Sequence, residues 1–171
     1  KAEWLSTVSP WHEEFLKAYN PVTYLIYNGF DSTIFYPKAI KQDKFILSYT
    51  GKLYEQSMQN PELFFAALRD LSITGQLNPD TCVVQWYTAN TSQEQVKSWA
   101  KTYQVESFMH YFDYVGPEQV NTILNQSSII LVFSNTTQPE GPHGIMTTKF
   151  FEALGTEKPV LCVRSDESCL A

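Results

Sequence analysis

Two kinds of hydrophobic pattern alternate along this chain. Short continuous apolar runs are separated by longer stretches in which apolar residues return every three or four positions. The runs Phe45-Ile-Leu-Ser-Tyr, Cys82-Val-Val-Gln-Trp-Tyr, Ile129-Ile-Leu-Val-Phe and Pro159-Val-Leu-Cys-Val predict strands, as does the shorter segment 106–111. Between them, 61–71 carries Leu63, Phe64, Ala67, Leu68 and Leu71 at helical spacing, and 92–103, 117–126 and 147–154 also read as helices. Ahead of this series lie a short strand (3–9), a helix from Pro10 to about Tyr19 with Trp11, Phe15 and Ala18 on one face, and a β-rich run (23–27) broken by Asn28-Gly29. A polar linker follows at 37–43. Ser9 before Pro10 and Asn60 before Pro61 read as helix N-caps, and Ser92 with Gln95 reads as a capping box.

Strict strand–helix alternation with near-continuous apolar strands predicts a Rossmann-like α/β fold: a parallel sheet in three layers, with helices on both faces. Ligands of such sheets sit at the carboxyl ends of strands, where strand order reverses. The loops after Tyr49, Tyr87, Tyr111 and Phe133 are therefore the candidate binding segments. No internal repeat or low-complexity segment interrupts the pattern.

Composition narrows the classes. With 171 residues, 43% of them hydrophobic and 18% charged, the chain can build one substantial core. A net charge of −6 and only two arginines, Arg69 and Arg164, argue against a nucleic-acid partner. Cys82 and Cys162 fall in apolar runs and Cys169 near the end; no Cys/His spacing suggests a metal site. Buried thiols favour the cytosol, where the sequons at Asn90, Asn125 and Asn135 carry no glycan. The longest apolar run, 129–133, is too short for a transmembrane segment, although peripheral membrane attachment through another part of the protein fits equally well. Both ends fall close to strands, so the chain reads as a portion of something longer.

The loop after Phe133 is long and rich in Gly, Pro and Thr, and it runs to a helix start near Thr147. A helix start offers N–H groups and partial positive charge to a phosphate. Thr147 and Thr148 add hydroxyls, Lys149 adds a full charge, and Glu152 shares the face of Lys149 and suits a ribose diol. A plain surface Lys–Glu pair fits the same spacing. The second informative loop opens with Gly51-Lys52: glycine permits close backbone approach, and the lysine reaches a phosphate at the sheet edge. An ordinary strand–helix loop with a solvated lysine reads the same way. Neither a Walker loop nor a GxGxxG fingerprint is present.

These segments, in order, resemble the retaining glycosyltransferases of GT-B fold, the broad glycogen-synthase-like family. The resemblance rests on Leu5-Ser-Thr-Val-Ser, on Leu25-Ile-Tyr-Asn-Gly-Phe-Asp-Ser-Thr-Ile-Phe-Tyr-Pro, on Leu47-Ser-Tyr-Thr-Gly-Lys-Leu, on Ser128-Ile-Ile-Leu-Val-Phe-Ser and on Lys149-Phe-Phe-Glu-Ala-Leu-Gly-Thr-Glu-Lys-Pro-Val. It implies that 1–37 ends an acceptor-binding half and the link to the next domain, and that 38–171 is an incomplete nucleotide-sugar-binding domain. It implies transfer of a sugar from a nucleoside diphosphate to an acceptor hydroxyl with retention, without a metal or other cofactor. The partners implied are a nucleotide-sugar donor here and an acceptor sugar or lipid-linked acceptor on the other half.

By the same resemblance Gly51, Lys52, Thr147, Thr148 and Lys149 face the diphosphate, with Lys52 the catalytic cation and Lys149 the lesser one. Glu152 holds the ribose, and Asp113, Tyr114 and Val115 form the nucleobase region. Two departures stand out. The family often has two glutamates with seven residues between them; that interval before Glu152 falls on Gly144, leaving Glu140, His143 and Gly144 as donor-sugar candidates. The second basic residue of the donor loop is also missing, with Gln56, Met58 and Gln59 in that stretch. A catalytically degenerate binding domain fits these departures. A sugar-nucleotide epimerase half would need an acidic and histidine set absent here, and a receiver-like domain an acidic cluster where Gly51-Lys52 stands. On its own the chain is expected to bind nucleotide weakly and to catalyse nothing.

Overall fold

The computed structural model describes residues 2–54, 59–133 and 147–163. Strands β1 (Leu5–Thr7) and β2 (Thr23–Leu25) pair in parallel around helix α1 (Pro10–Lys17). Ser9 caps α1: its Oγ accepts from the His12 N–H, and Pro10 opens the helix. Trp11 and Phe15 stack along α1 with centroids 5.6 Å apart.

The main sheet holds β3 (Phe45–Thr50), β4 (Cys82–Tyr87), β5 (Met109–Phe112), β6 (Ile129–Phe133) and β7 (Val160–Val163), all parallel, in the order β5-β4-β3-β6-β7. Helices α2 (Glu62–Ile73), α3 (Asn90–Tyr103), α4 (Pro117–Gln126) and α5 (Thr148–Leu154) make the crossovers. The chain builds outward from β3 to β5, then returns to the other side of β3 for β6. Strand order therefore reverses between β3 and β6, and a crevice opens at their carboxyl ends.

Two apolar clusters pack about the sheet. Leu47 and Tyr49 face a large cluster with Phe64, Phe65, Leu68, Trp86, Val96 and Phe133, while a smaller cluster joins Phe35, Leu124, Ile130 and Ala153. Trp86 is the hub of the first. It is fully buried, stacks nearly flat on both Phe65 and Phe133 at 5.9 and 6.0 Å, and its indole N–H points at Met109 Sδ, 3.2 Å away.

The elements differ from the sequence reading in a few places. Helix α3 starts at Asn90, not Ser92. Ser92 is not its cap because its Oγ turns inward, accepting from Leu53 N at 3.3 Å and donating to Leu53 O at 3.2 Å. The anticipated strand at 106–111 opens as a 3-10 turn (Glu106–Phe108) that buries Phe108, and the strand proper begins at Met109. Helix α2 starts at Glu62 with Pro61 at the cap position, so Asn60 is not the N-cap, although its Oδ1 accepts from Glu62 N at 3.0 Å. Asn125 is fully buried with its amide nitrogen donating to Tyr36 O, so this sequon holds no glycan in the folded chain.

Candidate functional site

The loop leaving β3 is fixed at every residue from 51 to 54. Gly51 N–H donates to Tyr87 O at 2.9 Å. The Tyr49 hydroxyl donates to Lys52 O at 2.8 Å, and burial pushes that phenol far above its ordinary range, so it remains a donor. Leu53 is held by Ser92, and Tyr54 N–H donates to Gln59 Oε1. Gln59 is itself buried, and its Nε2 donates to Phe133 O at 2.9 Å. This glutamine thus staples the β3 loop to the end of β6, across the point where strand order reverses. Within residues 51–54 the Lys52 and Tyr54 side chains project, a preorganised edge for a ligand.

At the switch point lies an open cleft of about 290 Å³. Its polar wall is Thr50, Gly51, Lys52, Thr148, Lys149 and Glu152; its apolar wall includes Phe35, Tyr54, Tyr114, Val115, Pro117 and Val120. The β3 loop, the start of α5 and the segment before α4 therefore share one cavity. Thr147 is the α5 N-cap, its Oγ1 accepting from Lys149 N at 3.4 Å. Neither Thr147 nor Asp113 lines the cleft, though each adjoins a residue that does. Glu140, His143 and Gly144 lie outside the described residues.

The two lysines stand in different surroundings. Lys52 is exposed, its Nζ 5.4 Å from the centre of the Tyr54 ring. Lys149 runs across Gly51: a Cβ on Gly51 would stand 2.6 Å from Lys149 Cε and 3.3 Å from its Nζ. Gly51 also has φ +107°, a conformation L side chains rarely adopt. Burial lowers the Lys149 pKa below its ordinary 10.5, partly offset by the Glu152 charge. Burial raises the Glu152 pKa above 4.5, partly offset by Lys149. The pair is thus a half-desolvated cation and carboxylate on one wall of the cleft. Gly51→Ala is expected to cost about 1–2 kcal/mol in backbone strain and to displace the Lys149 side chain. Denaturant unfolding measures the first effect and nucleotide titration the second.

Sequence reasoning did not find Phe35, Tyr54, Pro117 or Val120. Phe35 had a signal, since it falls in the segment 25–37 that bridges the two parts of the chain. Of the aromatic residues near strand ends, Tyr114 lines the cleft, whereas Tyr87 stacks on Phe112 at 4.6 Å.

No family model matches the sequence, and no curated protein matches it. Solved structures match the fold. Sucrose-phosphate synthase from Thermosynechococcus elongatus superposes with TM-score 0.69 at 15% identity, covering 95% of this chain and 41% of that one. Anabaena HepE in complex with UDP-glucose gives 0.65 at 15% identity, over 94% of this chain and 44% of HepE. The C-terminal domain of a group 1 glycosyl transferase, LpcC from Francisella tularensis, gives 0.57 at 13% identity, over 78% of this chain and 70% of that domain. The chain has the Rossmann-like fold of the C-terminal half of GT-B glycosyltransferases. It spans less than half the length of sucrose-phosphate synthase or HepE. Among the described residues, no helix is long and apolar enough to cross a membrane, and no group of His, Cys, Asp and Glu is arranged to hold a metal ion.

Proposed function

We propose that this chain is the donor-binding part of a glycosyltransferase, and that the cleft between β3 and β6 takes the nucleoside diphosphate of a nucleotide sugar. The observation that carries the reading is the convergence of Gly51, Lys149 and Glu152 in one cavity. Lys149 meets the diphosphate, and the first turn of α5 at Thr147 and Thr148 adds N–H donors. That helix has only seven residues, so its partial charge is secondary to the ammonium. Lys52 supplements the cation from the cleft mouth. Glu152 accepts from the ribose diol, and Tyr114 with Val115 and the adjoining Asp113 flanks the base. The UDP-glucose bound in the HepE structure supports this donor class.

The same reading gives 1–37 to the acceptor half and 38–171 to the donor domain. The acceptor hydroxyl comes from the other half, transfer proceeds with retention, and the protein works in the cytoplasm or peripherally at a membrane. The chemistry asked of this cleft is stabilisation of the charge that grows on the leaving diphosphate.

Titration with UDP-glucose across pH tests the reading. The ligand's diphosphate diester has no proton to lose over the range, but its uracil N3–H ionises at alkaline pH, so the alkaline edge is read as the difference between wild type and Lys149→Ala. Binding needs Lys149 charged, and affinity is lost as pH rises through its lowered pKa, below 10.5. Binding also needs Glu152 ionised, and affinity is lost as pH falls through its raised pKa, above 4.5. The expected profile is a bell with both edges drawn inward. Glu152→Gln should abolish the acid edge and draw the alkaline edge further inward, because the Glu152 charge no longer supports the Lys149 ammonium. Absence of binding at millimolar ligand anywhere in the range overturns the reading. Binding without transfer in the intact protein instead marks a degenerate domain, as the missing first glutamate and second basic residue would suggest.

A further inference from the structure

Segment 35–38 connects the β1–α1–β2 unit to β3, and two buried asparagines of α4 grip it. Asn121 Oδ1 accepts from Tyr36 N at 3.3 Å. Asn125 Oδ1 accepts from Lys38 N at 2.6 Å, and Asn125 Nδ2 donates to Tyr36 O at 3.0 Å. The two asparagines also bond each other, with Asn125 Nδ2 2.9 Å from Asn121 Oδ1 and 2.8 Å from Asn121 O. Their relative exposures are 3% and 0%. With both ends of the Asn125 amide and the Asn121 Oδ1 engaged, slippage would leave a desolvated polar group unpaired, so the geometry is held.

What the grip holds is Phe35. Phe35 is 8% exposed, belongs to one apolar cluster with Leu124, Ile130 and Ala153, and forms part of the cleft wall. A glycine on the opposite side makes room for it: a Cβ on Gly155 would lie 2.9 Å from Phe35 Cβ and 2.7 Å from Phe30 Cδ2. Helix α4, which carries both asparagines, itself contributes Pro117 and Val120 to the cleft. The connecting segment and the cleft wall are thus one mechanical unit, joined by side-chain amides.

We propose that Asn121 and Asn125 are positioning residues that set donor affinity by fixing Phe35 as a wall of the cleft. The inference rests on the donor-site reading above. Neither asparagine lines the cleft; both act through the backbone at 36–38.

The test measures UDP dissociation constants by calorimetry on the intact protein, with the melting temperature recorded for each variant. The variants are Asn121→Ala, Phe35→Leu and their double; Asn121→Ser, whose shorter side chain withdraws the acceptor from Tyr36, replaces Asn121→Ala should that protein not fold. Asn121→Ala is expected to weaken UDP roughly tenfold in the folded protein, and the double variant should bind no more weakly than the weaker single. A merely structural role would lower the melting temperature and leave UDP affinity unmoved. UDP affinity within twofold of wild type in Asn121→Ala, or fully additive losses in the double, overturns the inference alone. Wild-type protein that fails to bind UDP overturns the donor-site reading and this inference with it.

Discussion

Lys149→Ala should weaken UDP binding about a hundredfold and lower kcat/KM of the proposed transfer by the intact protein by on the order of 10²–10³, the usual loss when one preorganised donor to a developing anion is removed. The cause is local. The Lys149 ammonium is partly desolvated, so an approaching phosphate meets a charge that water screens only in part. The same burial makes the lysine costly in the empty site, so the variant should fold at least as stably as wild type. Its Glu152 partner then loses a favourable neighbour, which raises the carboxyl pKa further. Lys52→Ala should do much less, because Lys52 is exposed and its Nζ sits over the Tyr54 ring. Equal losses for the two variants would contradict this ranking.

Trp86→Ala should destabilise the fold by about 4 kcal/mol, within the range for emptying a large aromatic site in a core. The indole is clamped between Phe65 and Phe133 and lies against Tyr49, with ring centroids 5.5 Å apart. Four elements, β3, β4, β6 and α2, meet there. None can collapse inward without disturbing the others, so most of the cavity should remain. For a domain of this size the melting temperature should drop by roughly 8–16 °C. The effect reaches the site too, because Tyr49 anchors Lys52 O and Phe133 O anchors Gln59. A drop of less than about 1 kcal/mol in chemical denaturation would show that the aromatic stack is not the core's keystone.

Much of this architecture was legible in the sequence, for identifiable reasons. Strands buried on both faces leave no polar alternation to confuse the reading, so β4 and β6 occupy the bounds that Cys82–Tyr87 and Ile129–Phe133 suggest. Helix α1 begins where Ser9-Pro10 indicates, because that signal is complete within a few residues. Ser92 misled because its hydroxyl answers to Leu53, far away in sequence, and no local rule records such a bond. Strand order was not readable either, since which side of β3 receives β6 depends on tertiary packing. Periodicity put Lys149 and Glu152 on one helix face; only coordinates show the lysine crossing Gly51 into the cleft. Phe35 escaped because its role depends on the Asn121–Asn125 grip, a contact between segments more than eighty positions apart.

The most direct measurement is the pair of dissociation constants for UDP and UMP on wild-type protein and on Lys149→Ala. If Lys149 holds the distal phosphate, wild type should prefer UDP strongly, and the variant should bind the two ligands almost equally, with UMP affinity little changed. A variant that keeps the full preference for UDP would place the diphosphate elsewhere and contradict the account.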